Sequence, residues 1–156
     1  MDIGFIRKIE PTDLDKIIEI ENKCFDNFIA YSPKQLKYLI TKANSDCLLE
    51  AIQEIPRGFI IVLLKRNSDL AGIETLNVDP MYRGKGIGKK LLKAAEEEMI
   101  VKGIKKIRLE VSTNNKCAIN LYERSGFRKT AFLKDYYKHM HYGSYDAFRF
   151  VKLLTT

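Results

Sequence analysis

Between Ile3 and Ile9 apolar and polar residues alternate in DIGFIRKIE, which predicts a first strand with one covered face. Beyond it the period lengthens. Leu14, Ile17, Ile18 and Cys24 or Phe25 share one face of a helix that Thr12 is placed to cap. Ser32-Pro33-Lys34-Gln35 predicts a second helix, running to about Lys42, with Ser as cap, Pro at the first position and Gln closing a capping box. Three strand-like runs follow, Cys47 to Gln53, Gly58 to Lys65 and Leu70 to Val78, separated by turns at Pro56-Arg57 and Asn67-Ser68-Asp69. They read as an antiparallel meander. Ile87, Leu91, Ala94, Ala95 and Met99 then keep a helical spacing that Gly103 stops. Lys106 to Ser112 is a strand, Lys116 to Ser125 a short helix ended by Gly126, and Phe127 to Phe132 and Ala147 to Leu154 close the sheet. The predicted order is βααβββαβαββ.

A chain of 156 residues with 46% hydrophobic content fits one domain over residues 1–156 and leaves little room for a second. No apolar run approaches the roughly 20 residues of a membrane span, and the N-terminus is strand-like rather than a signal peptide, so a cytoplasmic protein with no membrane partner is expected. Cys24, Cys47 and Cys117 lack C-x-x-C spacing and read as free thiols. Cys117 has no base beside it and reads as helix packing. His139 and His141 in KHMHYG are too closely spaced for a metal site and are expected at the surface, so no metal is predicted. The net charge of +7 is densest around Arg83 to Lys93 and Lys102 to Arg108. Such charge serves nucleic acid or a phosphate-bearing small molecule alike, but no helix-turn-helix, zinc-finger or RRM pattern accompanies it.

Chemistry concentrates in Asn77 to Leu92, NVDPMYRGKGIGKKLL. A strand gives way to a loop with Gly84, Gly86 and Gly88 and then to a helix. This arrangement lets backbone N–H groups converge on phosphate oxygens at the positive end of the helix dipole. No Ser or Thr follows Gly88 as a P-loop requires, and Lys89 stands where the third glycine of G-x-G-x-x-G belongs. The pattern Arg/Gln-x-x-Gly-x-Gly/Ala is met by Arg83, Gly86 and Gly88. Here the chain resembles the GNAT superfamily of acetyl-coenzyme A-dependent N-acetyltransferases. A second stretch, Leu109 to Phe127, LEVSTNNKCAINLYERSGF, resembles the L-E-V-x-x-x-N-x-x-A-x-x-L-Y-x-x-x-G-F segment of RimI- and Ard1-type N-terminal acetyltransferases.

The resemblance implies an α/β fold, the GNAT acyl-CoA N-acyltransferase fold, with a central mixed sheet of about seven strands and flanking helices. Two parallel strands, Ile73 to Val78 and Lys106 to Ser112, should splay apart and expose backbone groups for pantetheine. It implies acetyl-CoA as co-substrate, bound by Leu76, Asn77, Val78, Arg83, Gly84, Lys85, Gly86, Ile87, Gly88 and Lys89, with Asn115 and Tyr122 near the pantetheine. Glu110 stands amid the apolar run IRLEV, where a charge is costly unless it faces a polar cleft; by resemblance it is the general base. The alternative is a solvent-facing strand residue. Tyr122 would be the general acid, or a core aromatic, and Asn115 a pantetheine contact, a plain N-cap, or both. No Ser-His-Asp or Cys-His arrangement supports an acyl-enzyme, which leaves direct attack of the amine.

The resemblance to RimI- and Ard1-type enzymes further implies that an acceptor enters between about Phe25 to Ser32 and Asp135 to Tyr145. Phe28 or Ile29 could line its first side-chain pocket, while Tyr31, Tyr136 and Tyr137 could bond its backbone or simply cover the sheet edge. The late stretch reads as an ordinary loop, and its Lys134, Lys138 and His139 suggest acidic acceptors. The expected reaction is acetyl transfer to the α-amino group of a protein or peptide N-terminus by a monomer or weak homodimer. A small-amine acetyltransferase (polyamine, antibiotic or metabolite) and a non-catalytic CoA-binding module are the alternatives, and nucleic-acid binding stands behind both.

Overall fold

The computed structural model describes residues 3–154. One sheet runs through it in the order β1-β2-β3-β4-β5-β7-β6. Its strands are β1 (Phe5–Lys8), β2 (Ser45–Ile52), β3 (Ile55–Leu64), β4 (Leu70–Val78), β5 (Lys106–Ser112), β6 (Arg128–Leu133) and β7 (Ala147–Leu153). The helices are α1 (Leu14–Cys24), α2 (Pro33–Thr41), α3 (Ile87–Val101) and α4 (Lys116–Arg124). β1 to β4 form the expected antiparallel meander, and β4 and β5 are parallel, joined across one face by α3. β7 inserts between β5 and β6, antiparallel to both.

Alternation of apolar positions divides the core. Ile17, Ile20, Leu36, Leu49, Phe59 and Ile61 join α1 and α2 to one face of the meander. Ile60, Val62, Leu91, Met99, Ile107 and Phe150 bury α3 against the other. Each buried Leu, Ile or Phe side chain contributes about 1.5–3 kcal/mol by leaving water. Ser32 caps α2 as predicted: its hydroxyl accepts from the Gln35 N–H at 3.1 Å, and the Gln35 side chain accepts from the Ser32 N–H at 2.8 Å. Gly103 and Gly126, at φ 79° and 92°, end α3 and α4 in the left-handed region.

Two local expectations change. Thr12 caps nothing: Pro11–Asp13 forms a 3-10 turn ahead of α1, and the Asp13 carboxylate accepts from the Glu10 N–H at 2.7 Å and from Arg7 at 2.7 and 2.8 Å. The turn predicted at Pro56-Arg57 lies at Gln53-Glu54, where both residues take positive φ, 48° and 67°. Pro56 is instead inside β3, beside a bulge that leaves Arg57 as the extra residue. A bulge tolerates proline because its missing N–H breaks no ladder bond. Arg57 fills the bulge by pairing with the fully buried Glu50, its Nε donating at 2.8 Å.

Candidate active site

β4 and β5 pair only from Leu70 to Gly72 against Lys106 to Arg108, and then diverge. On its other edge β4 carries a bulge: Val62 faces Ile73 and Ile61 faces Thr75, which leaves Glu74 as the extra residue. The bulge turns β4 away from β5 and opens a cleft of about 880 Å³. Leu76, Asn77 and Val78 border it on one side and Leu109, Glu110 and Val111 on the other. Close packing of β3 holds this wall, since a Cβ on Gly58 would come within 2.8 Å of the Asn77 carbonyl oxygen.

At one end of the cleft lies the glycine loop. Gly84 and Gly86 take φ 79° and 78°, conformations that a side chain would strain, and a Cβ on either would meet nothing within 4 Å. The space they leave open adjoins the N-terminus of α3, whose 15 residues align their dipole behind it. Arg83, Ile87, Gly88 and Lys89 border the cavity, whereas Lys85, between the two positive-φ glycines, does not. An open, cationic backbone cradle joined to a strand with unpaired groups fits a coenzyme A phosphate chain and its pantetheine arm. The Val78 carbonyl is already engaged: it accepts from Arg83 Nε at 3.2 Å and from the Cys24 thiol at 3.4 Å. Burial chiefly raises the pKa of Cys24, partly offset by Arg83, so its thiol stays protonated. The Asn77 side chain is buried and already paired. Its amide donates to Glu21 at 2.7 Å, and the same carboxylate accepts from the Tyr31 N–H at 2.9 Å. Glu21 is buried, which pushes its pKa up against the pull of those two bonds.

Midway along the cleft stand Glu110 and Tyr122. The Glu110 side chain is 17% exposed and does not face open solvent. Its Oε2 accepts from Arg149 Nε at 2.8 Å and lies 3.5 Å from Arg108, while Oε1 accepts from the Tyr136 hydroxyl at 3.4 Å. Tyr122 is both a core aromatic and a cleft residue. Its ring packs edge-on against Phe127 and lies 6.5 Å from Phe150, and burial pushes its pKa well above 10, so the phenol keeps its proton. Asn115 caps α4, accepting from the Ala118 N–H at 3.2 Å, and also borders the cavity.

The other end is built from distant segments. Ile29 and Tyr31 from the α1–α2 connection and Tyr136 and Tyr137 from the β6–β7 connection converge on it. Phe28 does not: it is 79% exposed, its ring centroid 6.0 Å from that of His139. The late stretch is a pinned hairpin, closed by the His141–Ser144 bridge. Ser112 donates to the His141 carbonyl at 2.6 Å and Asn114 to that of Tyr142 at 3.0 Å. His141 is therefore only partly exposed. It is half-buried, stacked on Tyr137 at 3.9 Å and edge-on to Phe25 across the cleft. Lys134, Lys138 and His139 do not border the cavity. Sequence reasoning missed Glu21, Glu74, Tyr142 and Arg149, which carry no motif spacing. Among the described residues no His, Cys, Asp and Glu group could hold a metal, and no helix is long and apolar enough to cross a membrane.

This geometry has counterparts. Residues 14–127 match the model of the Acetyltransferase (GNAT) family. The chain belongs to the GNAT family. This GNAT chain is 38% identical over 104 residues to N-alpha-acetyltransferase 30 of Saccharomyces cerevisiae, covering 65% of this chain and 57% of that protein. It thus spans little more than half the length of that relative. The structure of the ribosomal-protein-S18-alanine N-acetyltransferase from Escherichia coli superposes with a TM-score of 0.88 at 25% identity, over 99% of this chain and 96% of that one. The PaiA N-acetyltransferase from Thermoplasma acidophilum, solved in complex with coenzyme A, superposes with a TM-score of 0.81 at 26% identity, over 97% of this chain and 99% of that one. The sheet of seven strands with its four helices is the GNAT fold.

Proposed function

We propose that this GNAT protein transfers an acetyl group from acetyl-CoA to the α-amino group of a protein or peptide N-terminus. The observation that carries the reading is one cleft that holds the open glycine cradle at one end, aromatic side chains from two connections at the other, and Glu110 and Tyr122 between them. The names of the yeast and E. coli relatives favour an α-amine over other acceptors.

Acetyl-CoA supplies the activated acyl group as a thioester. Gly84, Gly86, Gly88, Arg83 and Lys89 hold its phosphates, and the diverging backbone of Leu76 and Val78 takes the pantetheine arm. An α-ammonium loses its proton near pH 7.7–8.0, so Glu110 has only a mild deprotonation to perform, directly or through water. Arg149 and Arg108 hold its carboxylate in place at the cleft wall. The Tyr122 phenol, kept protonated by burial, is the proton source for the departing thiolate. The protein's further contribution is to position amine and thioester against each other in the cleft.

The test is incubation of the purified protein with acetyl-CoA and a library of peptides with free N-termini, reading thiol release and products by mass spectrometry. Acetylated termini are expected, while acetylation confined to small amines overturns the choice of acceptor. Binding of acetyl-CoA without any turnover would instead indicate a CoA-binding module.

A further inference from the structure

Glu74 is the residue the β4 bulge singles out. As the extra residue between Ile73 and Thr75 it sits where β4 leaves β5, and its carboxylate accepts the Tyr31 hydroxyl from the α1–α2 connection. Three carboxylates border the cleft, and their surroundings differ. Glu21 is buried and saturated by Asn77 and the Tyr31 N–H. Glu110 is neutralised by Arg149 and Arg108. Glu74 has no cation within ion-pair distance among the described residues. It is also exposed.

Glu74 stands at a junction. It borders the main cleft and also a groove of about 210 Å³ that continues past the bulge beside Gly72 and Arg108, with Lys65 on its wall. An acceptor with its reactive amine in the cleft can place its next few bonds beside this carboxylate. Tyr31 holds Glu74 there, so a cation reaching it meets an oriented carboxylate and forms a charge-assisted hydrogen bond with little further ordering.

Resting on the amine-acetylation reading above, we propose that Glu74, held by Tyr31, selects acceptors that carry a second positive charge a few bonds from the amine being acetylated. A basic side chain near a peptide N-terminus and the far ammonium of a diamine present the same chemistry.

The experiment compares kcat/KM for acceptor pairs matched in length: peptides with a free N-terminus and Lys or norleucine at the second position, and 1,4-diaminobutane against butylamine. The dicationic member is expected to win by about tenfold at low salt, the scale of one charge-assisted hydrogen bond in the transition state, and the advantage should shrink as salt screens the exposed carboxylate. A preference in the peptide pair assigns the second charge to a protein terminus, and one in the amine pair to a small polyamine. Glu74→Gln should bring the ratio close to one, chiefly by raising KM for the dicationic acceptor, and Glu74→Asp should restore part of it. A ratio near one in the unaltered protein overturns the proposal while leaving acetylation of amines intact. Equal loss of kcat on both members in Glu74→Gln, with the ratio preserved, overturns it as well and makes Glu74 a proton acceptor. Absence of turnover with every amine removes the underlying reading too.

Discussion

The two ends of the cleft are built in opposite ways. The glycine-loop end comes from one stretch, Val78 to Lys89, and presents mainly backbone: two positive-φ glycines and the start of α3. The acceptor end comes from the α1–α2 connection, the β4 bulge, β5 and the β6–β7 hairpin, and presents side chains. A ligand shared by many enzymes is met by main chain, which changes little when side chains change. The other end presents Tyr31, Glu74, Tyr136 and Tyr137, each free to vary without disturbing the cradle. GNAT membership therefore says much about the first end and little about the second.

Substitutions at the centre, where the ends meet, should have the largest effect. Tyr122→Phe is expected to lower kcat by about 10²–10⁴, the usual worth of a general acid, while thermal stability stays close to that of the parent because the ring still packs on Phe127 and Phe150. Single-turnover assays with denaturation scans check this. Because burial raises the Tyr122 pKa, no fall in kcat from loss of its proton should occur between pH 7 and about 10. A descending limb in that range that Tyr122→Phe abolishes would refute the assignment.

The acceptor end should be the more fragile. Glu21→Ala leaves the Asn77 amide and the Tyr31 N–H without their partner, at a cost of about 2–3 kcal/mol in urea denaturation, and should raise KM for the acceptor more than for acetyl-CoA. At the other end Gly86→Ala forces a side chain to φ 78°, for about 1–2 kcal/mol of strain. It should weaken acetyl-CoA binding in calorimetry more than it alters acceptor KM. Equal effects of the two substitutions on both KM values would erase the division.

The smallest effect is in pH. The carboxyl of Asp79 beneath the glycine loop is held below its ordinary pKa: burial alone would raise it, but the Met81 N–H and Lys23 outweigh that. Its contribution to stability is therefore present above about pH 4 and lost as pH falls through the lowered value. Glu21 runs the other way. Its pKa is raised, so the fold disfavours its charge at neutral pH, and that cost is relieved as the carboxyl gains a proton on acidification. Denaturation from pH 7 to 3 should show the gap between parent and Asp79→Asn closing towards acid. Any advantage of Glu21→Gln should be greatest at neutral pH.

Much of this was legible in the sequence, for identifiable reasons. The Ser32 cap, the stops at Gly103 and Gly126 and the meander depend on neighbours in the chain. So do the Gly84–Gly88 cradle and the register of Glu110, Asn115 and Tyr122. The failures share a cause. Gln53-Glu54 turns the chain without glycine or proline because Ile52 and Ile55 pair across it, and Pro56 stays in a strand because a bulge absorbs it. Of the two residues offered for the first side-chain pocket, Ile29 borders the cavity and Phe28, 79% exposed, does not. His141 is drawn in by a hairpin that Ser112 and Asn114 pin from another strand.

The sequence by itself determined most of the elements, the family and the glycine loop, since these rest on periodicity, caps and spacings within a dozen or so positions. Only the tertiary structure decided which carboxylates border the cleft and what surrounds each. Glu21, Glu74 and Glu110 lie far apart in the chain, and none of them differs in kind from any other glutamate. Packing of α1 against β4 buries the first, a bulge exposes the second and two arginines neutralise the third. These are consequences of strand register and of where β4 parts from β5, and register is a property of paired chains.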